Sequence, residues 1–231
     1  MDAFFTRAFE RLSPDEREAY HRTVFMHMDT PHAAGLRREY YRTRLRRMGE
    51  NVSIGRGVTL VNPQHIALGD DVVIDDHCTL VARSERGITL ADGVSLKHRV
   101  YLDTEGAEGY IEIGPRVYVG TGCCLHGHQG LEIGEDALLA QNITITPYSH
   151  RFDDPAQTII SQGGHTRRIT IGRDAYLGMG VIVLWSADIG EGAVVGSGAV
   201  VVKPVAPRSV IAGVPARVIR TRGEHGERRD T

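Results

Sequence analysis

Aliphatic residues recur along this chain at six-residue intervals, a period that is neither helical nor a plain strand alternation. Ile54, Leu60, Leu68, Ile74, Leu80, Leu90, Leu96 and Leu102 open the series, and Ile113, Val119, Leu125, Ile133, Leu139 and Ile145 continue it. It resumes at Ile171, Leu177, Val183, Ile189, Val195 and Val201. From Leu68 on, extra residues enter only after every third member, between 80 and 90, 102 and 113, 125 and 133, and 145 and 171. Three rungs therefore make one turn, which predicts a parallel β-helix whose rungs bury their faces against their neighbours. The residue four places after each member is small or apolar at 18 of 20 sites, Gln64 and Gln129 being the exceptions. Two inward columns follow, with the second, third and fifth places pointing outward. Nine members are followed at once by Gly, which suits a chain bending at a corner.

Residues 1–50 lack this beat. Ser13-Pro14-Asp15-Glu16 reads as an N-cap, a first-turn proline and two early acids, predicting a helix to about Met28. A second helix is expected from Pro31 to Met48, closed by Gly49. It carries Arg37, Arg38, Arg42, Arg44, Arg46 and Arg47, either as a solvated face or as a contact for an anionic substrate or an acidic neighbour. The repeat array is expected over 51–205. Residues 146–170 form its one long insertion, and loops of that length in a compact array are usually functional. Residues 206–231 are expected to form a short C-terminal extension, helical or extended, with a frayed polar end.

A net charge of −2 gives no global reason to expect nucleic acid as a partner. The opening residues carry Asp2, Arg7, Glu10 and Arg11 instead of an apolar secretory core, and no stretch approaches a membrane span. The expectation is a cytoplasmic chain. Cys78 and Cys123 fall in the small inward column, where a reduced thiol acts as a small hydrophobe. Cys124 is expected to point outward and is the one thiol placed to touch a ligand or carry an acyl group.

Three stretches accompany the array: Ile145-Thr146-Pro147-Tyr148-Ser149-His150 with its long loop, Ile171-Gly172-Arg173-Asp174-Ala175-Tyr176-Leu177-Gly178, and the ending Ala212-Gly213-Val214-Pro215-Ala216-Arg217-Val218-Ile219-Arg220. Together they resemble the hexapeptide-repeat acyltransferases, above all sugar and polysaccharide O-acetyltransferases of the galactoside and maltose acetyltransferase type. The resemblance covers about residues 30–222. It implies an all-β fold, a left-handed parallel β-helix of about seven coils with three flat sheets. It also implies a homotrimer, acetyl-CoA as co-substrate and no metal requirement.

The resemblance makes His150 the general base that takes the proton of an acceptor hydroxyl. The residues support the same candidate, since His150 stands at an outward place, opens the long insertion and titrates near neutral pH. His126 and His128 stand one turn earlier at the same corner and Trp185 one turn later, all within reach if rungs lie ~4.8 Å apart. They and outward-facing Asn142 are candidate acceptor-binding residues, each with an ordinary surface role as the alternative. Asp153 or Asp154 is placed to orient His150, or simply to solvate the loop. For coenzyme A the resemblance points to backbone at Gly180 and Ser197 and to Lys203, Arg217 and Arg220 facing the phosphates, for which cations are the fitting chemistry. Two departures bear on the acceptor pocket: Tyr176 stands where many relatives have Trp, and Trp185-Ser186 where they have Pro-Gly. Alternatives are N-acylation of an amino sugar, a non-catalytic scaffold, or a zinc site of γ-carbonic anhydrase type. The last needs two His five apart, whereas His126 and His128 are two apart and His98 lies further back.

Overall fold

A computed structural model describes residues 10–224. The expectations for the opening nine residues and for the polar end beyond Glu224 lie outside the described residues. The array forms stacked parallel coils, about seven turns of β-solenoid, each coil visiting three sheets in turn. The sheets hold six, nine and seven strands, and almost every pairing joins one coil to the next. On the first sheet Leu68, Leu90, Ile113, Ile133 and Ile171 lie in register. Ile74, Leu96, Val119, Leu139, Leu177 and Val195 do so on the second. Leu80, Leu102, Leu125, Ile145, Val183 and Val201 do so on the third. These side chains are buried, as is the column four places on, Cys78 and Cys123 included, except at the third corner, where Gln64, Gly106 and Gln129 are exposed and Ser149 is half-buried. Each large aliphatic contributes about 1.5–3 kcal/mol of transfer free energy, so the core is a continuous stripe along the axis.

The glycines after the beat residues do not supply corner angles. None of the nine has a positive φ; the left-handed residues come three places after the beat. Asp71, Arg116, Asp136 and Asp174 occupy one column of corners, and His77, Arg99 and Asn142 share a second with Gly122, Gly180 and Gly198. The glycines are required instead by the next coil. A Cβ on Gly134 would stand 2.5 Å from the Arg173 nitrogen, and one on Gly172 2.5 Å from the Glu191 nitrogen.

The third corner, from third sheet to first, takes all the extra residues. Its long insertion, 146–170, folds as an antiparallel hairpin of Tyr148–His150 with Gly164–Thr166, its tip carrying a single 3₁₀ turn at Ile159–Gln162.

The helical segment is shorter than its sequence pattern suggests. An α-helix spans Pro14–Tyr20, capped by reciprocal Ser13 and Glu16 bonds, and the chain widens into a π-turn at His21–Phe25. The second helix ends at Arg42 and not at Met48, because Arg47–Met48 pairs with Ala67–Leu68 as the first strand of the array. Arg37 is neither solvated nor a substrate contact. It is buried, donating from Nε to the Ile54 carbonyl at 3.0 Å and from its Nη1 to Phe25 and Met28 carbonyls, so it ties both helical turns to the first coil. Tyr41 adds a bond to the Val58 carbonyl at 2.9 Å. At the other end the array outruns 205. Ser209–Ala212 pairs with Val194–Val195, and the extension is a strand, Arg217–Thr221, folded back antiparallel on it. Among the described residues no helix is long and apolar enough to cross a membrane.

Close coil approach makes opposite forecasts for two glycines. Gly172→Ala should lower stability by about 1–3 kcal/mol through overpacking against the next coil. Gly198→Asn should be nearly neutral, since nothing lies within 4 Å of its Cβ position and Asn142 already holds the same left-handed conformation. Urea denaturation of both variants checks this; the reverse order would contradict it.

Candidate functional site

The third corner gathers the titratable and aromatic side chains. Cys124–His126 is the strand that leads into it, Leu125 pointing in and His126 emerging at the edge beside Asp103 of the preceding coil. His128 follows in the turn. The next coil delivers Tyr148 and His150 on the first strand of the hairpin. The result is an unbroken line of rings. Tyr101 and His126 have centroids 5.9 Å apart, His126 and His128 6.0 Å, His128 and Tyr148 5.0 Å in a parallel stack, and Tyr148 and His150 4.8 Å edge to face. Beyond the line, His165 of the returning strand stacks on Trp185 at 5.4 Å. The hairpin is thereby held at both ends by ring contacts with the coils, and His150 stands exposed on it, opposite Gly164.

Glu105 completes the corner. Its carboxylate lies 3.2 Å from His126 Nδ1 and closes on His128 Nε2. Burial lowers the pKa of His128, the Glu105 charge opposing this and the nearby His126 adding to it, so desolvation favours the neutral ring. Asp103 is fully engaged, accepting from Arg83, from the Tyr101 hydroxyl at 2.8 Å and from the Glu105 amide; Arg83 and these bonds outweigh burial and hold its carboxyl below the usual range.

The structure unites only part of the expected set. His126, His128, His150 and Trp185 share the third corner, and Lys203 follows the last strand of the third sheet toward it. Lys203 and Arg217 line one surface cavity of ≈ 380 Å³ with Pro204 and Ala216, and Arg220 lies further along the edge strand. Lys203, Arg217 and Arg220 make no ion pair among the described residues. Asn142, Gly180 and Ser197 belong to a different corner, between second and third sheets. Tyr176 lies on the second sheet, in register with Leu138 and through it with Tyr118, a partly exposed apolar column. Tyr101, at an outward place on the third sheet, donates its hydroxyl to Asp103. Asp154 does not orient His150: it caps its own loop through Ala156 and Gln157. Glu105, Tyr148 and His165 were not singled out from sequence. The signal for Glu105 was its place in the 102–113 insertion, three residues after Leu102 as His128 is three after Leu125 one coil on.

Cys124 reaches His126 Nε2 at 3.3 Å, but burial raises its pKa, the opposite of what an acyl-carrying nucleophile needs. Burial pushes Cys78 and Cys123 up to about 11. At pH 8 only about one in a thousand of those two thiols is ionised. In an Ellman titration of folded protein, at most one thiol should react quickly and all three only after denaturation; rapid reaction of two or more in the folded state would contradict the packing.

The repeat itself matches a family model, the hexapeptide repeat of succinyl-transferase, over residues 168–203. Half of the chain is 35% identical to a probable acetyltransferase of Mycobacterium tuberculosis, covering 38% of that protein. Galactoside O-acetyltransferase of Escherichia coli is 32% identical over 48% of this chain and 53% of its own. Serine acetyltransferase of the same organism is 31% identical over 47% of this chain and 38% of its own. The chain thus spans about half, or less, of the length of these relatives. Among solved structures, the N-acyltransferase AntD of Bacillus cereus superposes with a TM-score of 0.57 at 20% identity, covering 80% of this chain and 88% of that one, a likeness of fold. The beat and the matched stretch show hexapeptide repeats in this chain, and its similarities run to the acetyltransferases.

Proposed function

We propose that the protein is an acetyl-CoA-dependent acyltransferase acting on a hydroxyl of a sugar or polysaccharide precursor. The observation that carries this reading is the third corner, where a long hairpin holds an exposed His150 against a wall of aromatic and imidazole rings. In the reaction the acceptor oxygen attacks the thioester carbonyl carbon while its proton passes to the His150 imidazole. The tetrahedral intermediate then expels coenzyme A as thiolate, which takes up a proton. The base matters because an alkoxide is out of reach at neutral pH. Flat rings at Tyr148, His128 and Trp185 suit the apolar faces of a pyranose. The O-acetylation that one relative, a galactoside O-acetyltransferase, is named for supports O- over N-acylation.

Lys203, Arg217 and Arg220, which make no ion pair among the described residues, supply cations for the coenzyme phosphates. Asn142, Gly180 and Ser197 occupy another corner of the same chain, so the reading also includes a homotrimer in which that corner meets the third corner of a neighbour. The exposed column of Tyr118, Leu138 and Tyr176 offers the apolar contact such an assembly needs. A cytoplasmic location is part of the same proposal.

His150→Ala should cost on the order of 10²-fold or more in kcat with acetyl-CoA affinity nearly unchanged, the range expected for a lost general base. The fold should survive, because the side chain is exposed and outside the core. Activity within a few-fold of wild type, assayed with the true acceptor, would overturn the assignment.

Replacing Arg217 and Arg220 together by Ala should raise the KM for acetyl-CoA while leaving kcat at saturation much less affected, since both lie away from the reacting carbonyl. Equal loss in both parameters, or in neither, would show that the phosphates bind elsewhere.

A further inference from the structure

The acyl-transfer reading gives Glu105 no role and uses His126 and His128 only as part of a wall. Their geometry is more specific than that. One nitrogen from each ring and one carboxylate oxygen can be chosen so that all three atoms lie within 4.8 Å of one another. In a tetrahedral site with ligand bonds of ~2.0–2.1 Å, neighbouring ligand atoms stand about 3.4 Å apart. His126 Nδ1 and the nearer Glu105 oxygen are 3.2 Å apart.

The relation between those two atoms is informative. His126 Nδ1 is buried and, despite the short distance, makes no hydrogen bond. Nitrogen and oxygen therefore sit side by side instead of donor to acceptor, as two ligands of a single ion do. Among the described residues the Glu105 carboxylate pairs with no Arg or Lys, and Arg83 is spent on Asp103. One carboxylate and two imidazoles make a net −1 donor set when the rings are neutral, the form in which imidazole binds a metal. On the far side of His126, Nε2 meets Cys124 Sγ, a weak acceptor that would orient the ring once Nδ1 is engaged.

We propose that Glu105, His126 and His128 form a binding site for one divalent transition-metal ion of the zinc class. The ion ties the turn after Tyr101–Asp103 to the turn of the following coil and leaves a fourth position for water or another oxygen ligand. The spacing of two His on alternate residues of a strand end with a Glu one coil back differs from the γ-carbonic anhydrase pattern weighed from sequence. The proposal is independent of acyl transfer, and absence of that activity would leave it standing.

The test is calorimetric titration of chelator-stripped, dialysed protein with zinc alone. Wild type should take up one zinc per chain. His126→Ala and Glu105→Gln should each weaken binding more than ~10-fold, since even loss of an outer-sphere partner typically costs 10–100-fold. His98→Ala should bind as wild type, because His98 is an exposed ring near Asp75 and outside the cluster. Should either ligand variant misfold, an anomalous difference map at the zinc edge from wild-type crystals decides instead, with its peak between Glu105, His126 and His128. No stoichiometric uptake, uptake lost in His98→Ala but kept in His126→Ala, or an anomalous peak elsewhere would each overturn the site and leave the cluster as an ion-pair network.

Discussion

Everything in this molecule depends on adjacent coils approaching backbone to backbone in a constant register. A parallel ladder between successive coils satisfies the peptide groups only if every coil puts the same number of residues on each face. Insertions are therefore excluded from the sheets and from two of the corners. The two tight corners are closed by single left-handed residues such as Asp136 and Asn142, and Gly134 and Gly172 keep side chains out of the gap between coils. The ends need separate solutions. At the first coil Arg37 and Tyr41 bring the helices down as a cap, and after the last coil the strand Arg217–Thr221 covers the final parallel strand with an antiparallel one.

The same constraint decides where chemistry can be. Only the third corner tolerates extra residues, and it does so coil after coil, so its loops stack on one another. Glu105, then His126 and His128, then Tyr148 and His150 are successive levels of one column. Their ring contacts follow from coil spacing and need no special folding of the loops. The scaffold is rigid and the hairpin rests on it through the Tyr148 and His165 stacks, which restrains His150 although it is solvent-exposed. Residues at the other corners cannot join this column within one chain. That separation of Asn142, Gly180 and Ser197 from His150 is the structural reason to invoke a neighbouring chain.

The coils and the insertion were legible in the sequence because the signal is periodic and repeated twenty times, whereas the strands at either end, Arg47–Met48 and Ser209–Ala212, carry no beat residue of the series and were not. The reason for the glycines was misread, since a chain pattern shows that a position must be small but not whether the cause is its own φ or an atom in the next coil. The second helix was overrun for a related reason. Leu45 to Met48 has no helix breaker, and its pairing with Ala67–Leu68 is a tertiary fact that local propensity does not register. Among the candidate site residues, His150 was singled out by the family resemblance and by opening the long insertion, and His126, His128 and Trp185 by standing one turn away at the same corner, where the structure also puts them. Glu105 was missed because its insertion is short and acidic, and Tyr148 because its importance comes from the two rings it separates.

We propose the third-corner column as the place where acyl transfer occurs. A crystal structure with coenzyme A bound tests it most directly. The thiol end should lie beside a His150 imidazole and the phosphates against Lys203, Arg217 and Arg220, of the same chain or of the next in a trimer. A thiol lodged away from every His150, or phosphates bound at the helical end of the solenoid, would contradict it.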